Sequence, residues 1–270
     1  MRRRWAIVAV VVVLVAAVLV GGSLWLRRDT SRPVTVDDAR DRLTTTSSGA
    51  TTSVPPKGAA RPKPGVYDYR GSGTESLSLP PLSQRQGPTI PATVELVGDD
   101  CWTIRFDYST NHWETWDYCR RGTDLVETGG KTWQRWMIGA TAITNLATSV
   151  CDDAMVLPSE RTKGDEWPAR CVGTNETIDG EAISKGPYTY LGEQELKVGD
   201  TTVTAAHFVR DRTMTGAQQG SERSDVWFDV RTGLPIRNER KISVDTDTPV
   251  GSSTYTEEGE FHLVSPDPTG

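Results

Sequence analysis

Residues 101–119 read Cys-Trp-Thr-Ile-Arg-Phe-Asp-Tyr-Ser-Thr-Asn-His-Trp-Glu-Thr-Trp-Asp-Tyr-Cys, an order of residue types that is typical of a β-hairpin. Trp, Ile, Phe and Tyr occupy the even positions from 102 to 108, and polar residues lie between them. Such alternation indicates a strand with one buried face. Residues 109–111 (Ser-Thr-Asn) are turn formers. We therefore predict that residues 112–118 return as the second strand.

A turn centred on Thr110 fixes the pairing of these two strands and places Cys101 opposite Cys119. Directly opposed residues of antiparallel strands have Cα atoms about 4.5–5.5 Å apart, which lies within disulfide range. The hairpin thus predicts a Cys101–Cys119 disulfide. The remaining cysteines, Cys151 and Cys171, then pair by elimination.

Strand signals continue towards the C-terminus. Gly199-Asp200 and Thr232-Gly233 each separate two strand-like runs, as turns between antiparallel strands do. Residues 253–264 form the last predicted strand. We expect an all-β fold over residues 66–264, with one large antiparallel domain built as an open half-barrel or a sandwich, followed by a tail at 265–270.

Residues 131–150 fit two interpretations. Trp133, Trp136, Met137 and Ala140 have the spacing of a helix face. Gly139 and the many Thr and Ser residues of this stretch weaken a helix. Two strands are the preferred interpretation.

The N-terminus predicts a membrane anchor. Residues 1–4 (Met-Arg-Arg-Arg) precede an uncharged, strongly apolar run over residues 5–26. Twenty-odd helical residues span about 30 Å, the thickness of the hydrocarbon core. A cleaved signal peptide is the alternative, but signal peptides have a shorter apolar core that ends in a small-residue cleavage site. We therefore predict a retained anchor, with the N-terminus in the cytoplasm and the domain outside.

The anchor is followed by a predicted stalk over residues 27–65. Residues 34–43 can form a short helix with Thr35 as its N-cap. The stretch from Thr44 to Gly65 contains four Pro and a single apolar residue larger than Ala, namely Val54. Such a composition cannot bury enough surface to offset its ordering entropy, so an extended spacer is expected.

Charge excludes one class of partner. Residues 1–65 hold 11 Lys/Arg and 4 Asp/Glu, a net +7, and residues 66–270 hold 19 and 32, a net −13. Nucleic-acid affinity depends on neutralising phosphates with Lys and Arg. A domain at −13 therefore does not bind nucleic acid in general.

Short signatures across residues 65–265 resemble uncharacterised membrane-anchored extracytoplasmic proteins of actinobacteria. They include Gly65-Val-Tyr-Asp-Tyr69, Asp117-Tyr118-Cys119, Gly164-Asp-Glu-Trp167 and Thr232-Gly-Leu-Pro235. The succession of long strands is similar to the half-barrel lipid carriers of the lipoprotein-carrier and mycobacterial lipoprotein group. That resemblance implies a concave sheet that binds acyl chains. The chain departs from the group in having no Cys after its apolar run for lipidation.

No catalytic motif, metal site or cofactor site is predicted. His112, His207 and His262 have no partner at a recognised catalytic or ligand spacing, and no Cys-x-x-Cys occurs. Structural or surface roles fit these histidines better than catalysis. A secreted hydrolase is therefore the least favoured hypothesis.

A surplus of Trp is the remaining functional signal. On the hairpin register Trp113 points away from the face that holds Trp102 and Trp116. A second covered face, or a bulge that turns the ring inward, would explain it. The functional alternative is an aromatic wall of a ligand groove, formed by Trp113, Trp133 and Trp136. We expect a non-enzymatic domain for lipid or another apolar envelope ligand, or alternatively a structural or sensory ectodomain that contacts a protein or cell-wall polymer.

Overall fold

The structure, a computed structural model, describes residues 29–46, 60–248 and 251–269. Within these ranges one helix, α1 (Val36–Thr46), precedes fourteen strands. The strands are β1 (Gly65–Tyr67), β2 (Tyr69–Leu77), β3 (Leu82–Gln86), β4 (Ala92–Val97), β5 (Cys101–Ser109), β6 (His112–Arg121), β7 (Asp124–Ile138), β8 (Thr141–Leu157), β9 (Glu166–Asn175), β10 (Ile178–Val198), β11 (Thr201–Gly216), β12 (Gln219–Asp229), β13 (Pro235–Thr248) and β14 (Gly251–Leu263).

All fourteen strands form one open antiparallel sheet, in the order β1-β4-β5-β6-β7-β8-β9-β10-β11-β12-β13-β14-β2-β3. From β4 to β14 each strand pairs with the next one along the chain, because short turns join antiparallel neighbours. The all-β prediction is confirmed. A sandwich would need a second sheet, which the described ranges do not contain.

The segment that contains β1 and β2 joins two distant parts of the sheet. Asp68 alone separates β1 from β2. β1 pairs with β4, while β2 pairs with β14, near the C-terminus. The sheet must curve for one segment to contact both strands, and its inner face encloses the core.

The hairpin prediction is confirmed in register and in covalent chemistry. Cys101 pairs with Cys119 and Trp102 with Tyr118 across β5 and β6. Both predicted disulfides are present, Cys101–Cys119 between β5 and β6 and Cys151–Cys171 between β8 and β9.

The strand interpretation of residues 131–150 is also confirmed, because β7 and β8 form a long hairpin there. The predicted turns at 199–200 and 232–233 separate β10 from β11 and β12 from β13. Trp133 and Trp136 lie three residues apart on one strand, so they point to opposite faces rather than to one helix face.

The inner face of the sheet is built in three layers. The innermost layer is aromatic and fully buried, the middle layer is charged, and the third, at one end of the sheet, is largely apolar and lines a cavity. Representative side chains are Tyr69, Trp102, Phe106, Phe208 and Phe228 of the first layer, Glu75, His112, Glu127, Arg210 and Arg240 of the second, and Leu77, Trp136, Ile143, Ile242 and Val244 of the third.

The turns divide between the two ends of the sheet. Among the described turns at the cavity end are those at 78–81, 139–140, 176–177 and 217–218, and we call these four turns the rim. Successive turns of an antiparallel meander alternate between its two ends. The turns at 98–100, 122–123, 158–165, 199–200 and 230–234 therefore form the opposite end.

Part of the predicted stalk is folded. α1 begins after Thr35, whose Oγ1 accepts a hydrogen bond from the Asp38 backbone N at 3.1 Å, so the predicted N-cap is confirmed. Val34 and Ala39 are buried, and Arg42 forms an ion pair with the buried Asp107 of β5.

Residues 29–46 of the predicted stalk (27–65) therefore lie against the β domain, and the short helix predicted at 34–43 is present within this segment. Partners supplied by the β domain, rather than the composition of the segment, hold it in place. The backbone at 60–63 also lies against the domain, where Arg61 donates to the Gly98 carbonyl at 2.9 Å.

No helix within the described residues is long and apolar enough to cross a bilayer. The predicted cytoplasmic residues 1–4 and the anchor at 5–26 lie outside the described residues. So do residues 47–59 of the predicted stalk.

Candidate functional site

The three residues of the predicted aromatic wall do not form one wall. Trp113 and Trp133 stack on the outer face of the sheet, with ring centroids 6.3 Å apart. The Arg105 guanidinium lies over the Trp113 ring at 4.2 Å from its centroid. Trp136 lies on the inner face, where it is buried and packs edge-on against Tyr255 at 6.5 Å.

Trp136 belongs to a cavity of 430 Å³ on the inner face. The cavity lies among side chains beside the rim, such as Leu79, Ile143 and Ile178. Deeper in, Met214 and Ile242 continue an apolar wall. Since ligand sites are concave, mostly apolar and hold a few polar groups, this cavity is the candidate functional site.

The floor of the cavity is polar and charged. His112, Glu114, Gln134, Arg240, Tyr255 and Glu257 line it. Behind them lies Glu75, whose carboxylate accepts hydrogen bonds from Gln84 Nε2 and Gln134 Nε2, both at 2.8 Å. Alternation along β2, β6, β7, β13 and β14 places all of these side chains on the inner face.

Glu75 and His112 form a buried ion pair, with 3.2 Å between His112 Nδ1 and a Glu75 carboxylate oxygen. Burial raises the pKa of Glu75, but His112 and the hydrogen bonds of Tyr255 and Gln84 outweigh it, so that pKa lies below its usual value. Burial lowers the pKa of His112, but Glu75 and Glu257 outweigh it, and that pKa lies above its usual value. Both directions favour the charged pair.

Arg240 joins this pair to the rest of the floor. Its guanidinium contacts the carboxylates of Glu114 and Glu257 and lies 4.6 Å from the Tyr108 ring centroid. Burial lowers the pKa of Arg240, yet Glu257 and its other neighbours hold it well above the usual value. The guanidinium is therefore a permanent buried cation.

A second charged cluster continues the layer under β7, β10, β11 and β12. Glu127 accepts hydrogen bonds from Arg212 Nη2 at 2.7 Å and from the Tyr188 hydroxyl at 2.6 Å. Arg210 contacts Glu222 and lies 3.7 Å from Glu127. Burial raises the pKa of Glu127, but the two arginines outweigh burial and lower it to about 2.

A smaller cavity of 210 Å³ lies over this second cluster. It shares Glu114, Thr132, Met214 and Ile242 with the first cavity. The two are therefore parts of one groove along the inner face. An elongated ligand can follow its apolar wall and reach both charged clusters.

Within the described part of the chain, two groups of side chains have the residue types of metal ligands. Glu75, His112 and Glu257 offer ligand atoms within 4.8 Å of one another, but the Arg240 cation already contacts Glu257. The raised pKa of His112 also disfavours the neutral imidazole that a metal requires. Glu127 lies near Cys151 and Cys171, whose sulfurs are joined in a disulfide and are not thiolates. The first group suits a hydrogen-bonding ligand better than a cation.

The other two histidines lie outside the cavity. His207 is on the outer face, where its Nε2 lies 2.8 Å from Asp225 Oδ1 and its ring stacks on Trp227 at 4.1 Å. His262 is exposed on β14. Neither lies in the cavity, whereas His112 does, which no local spacing indicated.

Sequence reasoning missed the charged layer as a whole. Its signal was present as charges at inward positions of strands, such as Arg210 and Arg212 in phase with the buried Phe208. The partners come from strands far away in sequence, as Glu127 does for Arg212. A charge at a buried strand position predicts such a partner, because an unpaired buried charge is too costly.

The Glu75–His112 pair predicts a pH-dependent stability. The raised pKa of His112 contributes stability that is fully present below about pH 6.5 and is lost as pH rises through the pKa of the folded state. The lowered pKa of Glu75 contributes stability that is present above about pH 4.5 and is lost as pH falls. We expect His112→Gln to remove the loss above pH 6.5, measured by urea unfolding across that range.

A His262→Gln variant is the matched control, because it also removes one imidazole but from an exposed position. The same decline in unfolding free energy with pH for wild type and His112→Gln would contradict an ionised pair.

No family model, no curated protein and no solved structure matches this chain.

Proposed function

We propose that this chain is a single-pass membrane protein whose extracytoplasmic domain binds a lipid or another apolar ligand of the cell envelope, without catalysing a reaction. The N-terminus is cytoplasmic and residues 5–26 form the anchor. One observation carries the proposal: a groove with an apolar wall near the rim and a charged floor beneath it.

Such a groove suits an amphiphile. Acyl chains would lie along Trp136, Ile143, Met214 and Ile242, and burying apolar surface contributes about 25 cal/mol per Å². A polar headgroup would reach the floor, where His112 Nε2 has no hydrogen-bond partner among the described residues.

A non-catalytic role fits the pairing of the floor groups. Glu75 is held by His112, Gln84 and Gln134, and Arg240 is held by two carboxylates. Charged groups committed to one another can orient a ligand, but they are poorly placed to exchange protons with it.

The experiment uses the full chain in vesicles that contain a phospholipid with a photoactivatable acyl chain. After irradiation we expect lipid adducts on peptides of the inner face around Met214 and Ile242. Filling the groove with Met214→Trp and Ile242→Trp should lower the yield of these adducts about tenfold, corresponding to about 1.4 kcal/mol of binding free energy.

Thr213→Trp and Ser243→Trp are the matched controls, since these neighbours are exposed and point to the outer face. Adducts confined to residues 5–26, or an equal yield from filled and control variants, would contradict lipid binding in the groove.

A structural or sensory role is the second candidate, and the outer face favours it. Trp113 and Trp133 are only half-buried and border a groove with Arg32, Asp38 and Arg42 of the N-terminal segment. Apolar groups that remain accessible on a surface mark interaction sites for partners. Cross-linking in cells followed by mass spectrometry separates the candidates, because this role requires adducts at Trp113 or Trp133 rather than in the inner groove.

A further inference from the structure

We propose that the rim of the domain lies against the outer surface of the bilayer, held there by the docked segment 29–46. This rests on the anchored placement proposed above. The partner is a lipid surface, and the contact surface is the rim, with the exposed side chain of Leu79 in the rim and that of Ile143 beside it on β8. The domain is thus not held at a distance on a stalk.

Asp29 lies against β3, close to the cavity. Its Oδ2 accepts hydrogen bonds from the backbone N and Nε of Arg85 on β3, both at 3.2 Å. Thr30 Oγ1 accepts one from Asn111 Nδ2 at 3.2 Å. Asn111 precedes His112 of the cavity floor, so the segment begins beside the cavity.

The docked segment runs from the cavity end of the sheet towards the opposite end. From Asp29 the chain passes Thr110, whose backbone N donates to the Arg32 carbonyl at 2.9 Å. α1 then continues down the outer face to a groove bordered by Thr45, Thr93 and Glu95. β4, which carries Thr93 and Glu95, runs towards the opposite end of the sheet. Within the docked segment, Asp29 is therefore the end nearer the rim.

The connection between the predicted anchor and Asp29 is short. The predicted anchor ends at Leu26, and three extended residues from there to Asp29 span at most about 11 Å. On β3 the chain from Arg85 back to Leu82, at the edge of the first rim turn, covers about 10 Å. The rim thus projects past Arg85 about as far as the connection to the membrane can extend, which brings the rim to the bilayer surface.

The turns at the two ends of the sheet differ in their content of charged residues. The rim turns contain ten residues and one charge, Glu176. The turns of the opposite end contain twenty residues and eight charges, five of them acidic: Asp99, Asp100, Glu160, Arg161, Lys163, Asp165, Asp200 and Arg231. Anionic lipid surfaces repel acidic groups and accept uncharged, apolar ones.

Two exposed apolar residues agree with this asymmetry. Leu79 in the rim and Ile143 beside it on β8 are 39% and 45% exposed. Leu96 and Val97 are also exposed, at the opposite end, but Asp99 and Asp100 follow them after Gly98. With the rim on the bilayer, a lipid can enter the groove without crossing water.

The test places a fluorescent unnatural amino acid at Ala140 or at Asp200 of the full chain. Both are exposed residues of hairpin turns, one at the rim and one at the opposite end, and neither lines the cavity. In phosphatidylcholine and phosphatidylglycerol vesicles with a nitroxide-labelled headgroup, we expect several-fold stronger quenching at Ala140. Equal quenching at both sites, or stronger quenching at Asp200, would overturn the proposal.

A second variant tests the role of the docked segment. Val34→Asp combined with Ala39→Asp places charges in its buried contacts and should bring the ratio of the two quenching signals close to one. Asp37→Ala, at an exposed position of α1, should keep the ratio. An unchanged ratio in the double variant would show that the segment does not hold the rim in place.

The groove-filling variants separate this proposal from the proposed function. Loss of inner-face lipid adducts with persistent quenching at Ala140 supports both. No inner-face adducts in the wild type, with quenching still stronger at Ala140, contradicts lipid binding alone. Adducts in the groove with equal quenching at both ends contradict only the orientation.

Discussion

Replacing Arg240 with Met should lower the free energy of unfolding by about 3–5 kcal/mol, the loss typical of a buried ion pair that loses one partner. The guanidinium contacts Glu114 and Glu257 and is almost fully buried. Met keeps much of the apolar stem but leaves two carboxylates without their cation. Urea unfolding of the full chain in detergent, followed by Trp fluorescence, measures the change.

Lys241→Met is the matched control. Lys241 is the next residue on β13 and also contacts a carboxylate, Glu258, at 2.9 Å, but this pair is exposed on the outer face. Exposed ion pairs contribute about 0–1 kcal/mol. Equal losses in the two variants would contradict a charged, desolvated floor. Adding Glu114→Gln and Glu257→Gln to Arg240→Met should restore part of the stability, because no unpaired charge would then remain.

Removing the Cys101–Cys119 disulfide with paired Ser substitutions should lower the free energy of unfolding by about 3 kcal/mol, and so should removing Cys151–Cys171. The bonded residues are separated by 18 and 20 positions, so each bond restricts a loop of similar size in the unfolded chain. Comparing wild type with each double variant in urea isolates the two contributions.

The thiol count controls for the chemistry of this experiment. Non-reduced, denatured wild type should show no reactive thiol, and each double variant should show none either. A stability change well below 1 kcal/mol would indicate that the hairpin already restricts the unfolded chain without the bond.

Local patterns were sufficient for the strands and the disulfides. The alternation from Trp102 to Tyr108 gave the inner face, and the turn at Thr110 gave the register that brings Cys101 to Cys119. Each of these features depends on residues within about one hairpin, so the sequence of that hairpin contains the information.

The site was not predictable in the same way. Arg240 is 126 positions from Glu114 and Gln134 is 59 positions from Glu75, and no periodicity within one strand pairs such residues. The position of Trp136 in the cavity follows from its face, but the charged floor beneath it does not.

The docking of residues 29–46 was not predictable for a related reason. Composition describes what a segment can do alone, whereas Arg42 and Asp29 find their partners on β5 and β3. Long-range pairing of this kind needs the folded sheet.

The bridging position of the segment from β1 to β2 has a consequence for biogenesis. Protein synthesis proceeds from the N-terminus, but one side of β2 pairs with β14, whose last residue is Leu263. That side of the first long strand stays without its partner until the chain has been synthesised through β14. An unsatisfied strand edge is a template for aggregation, so the nascent chain depends on protection of this edge until β14 has emerged.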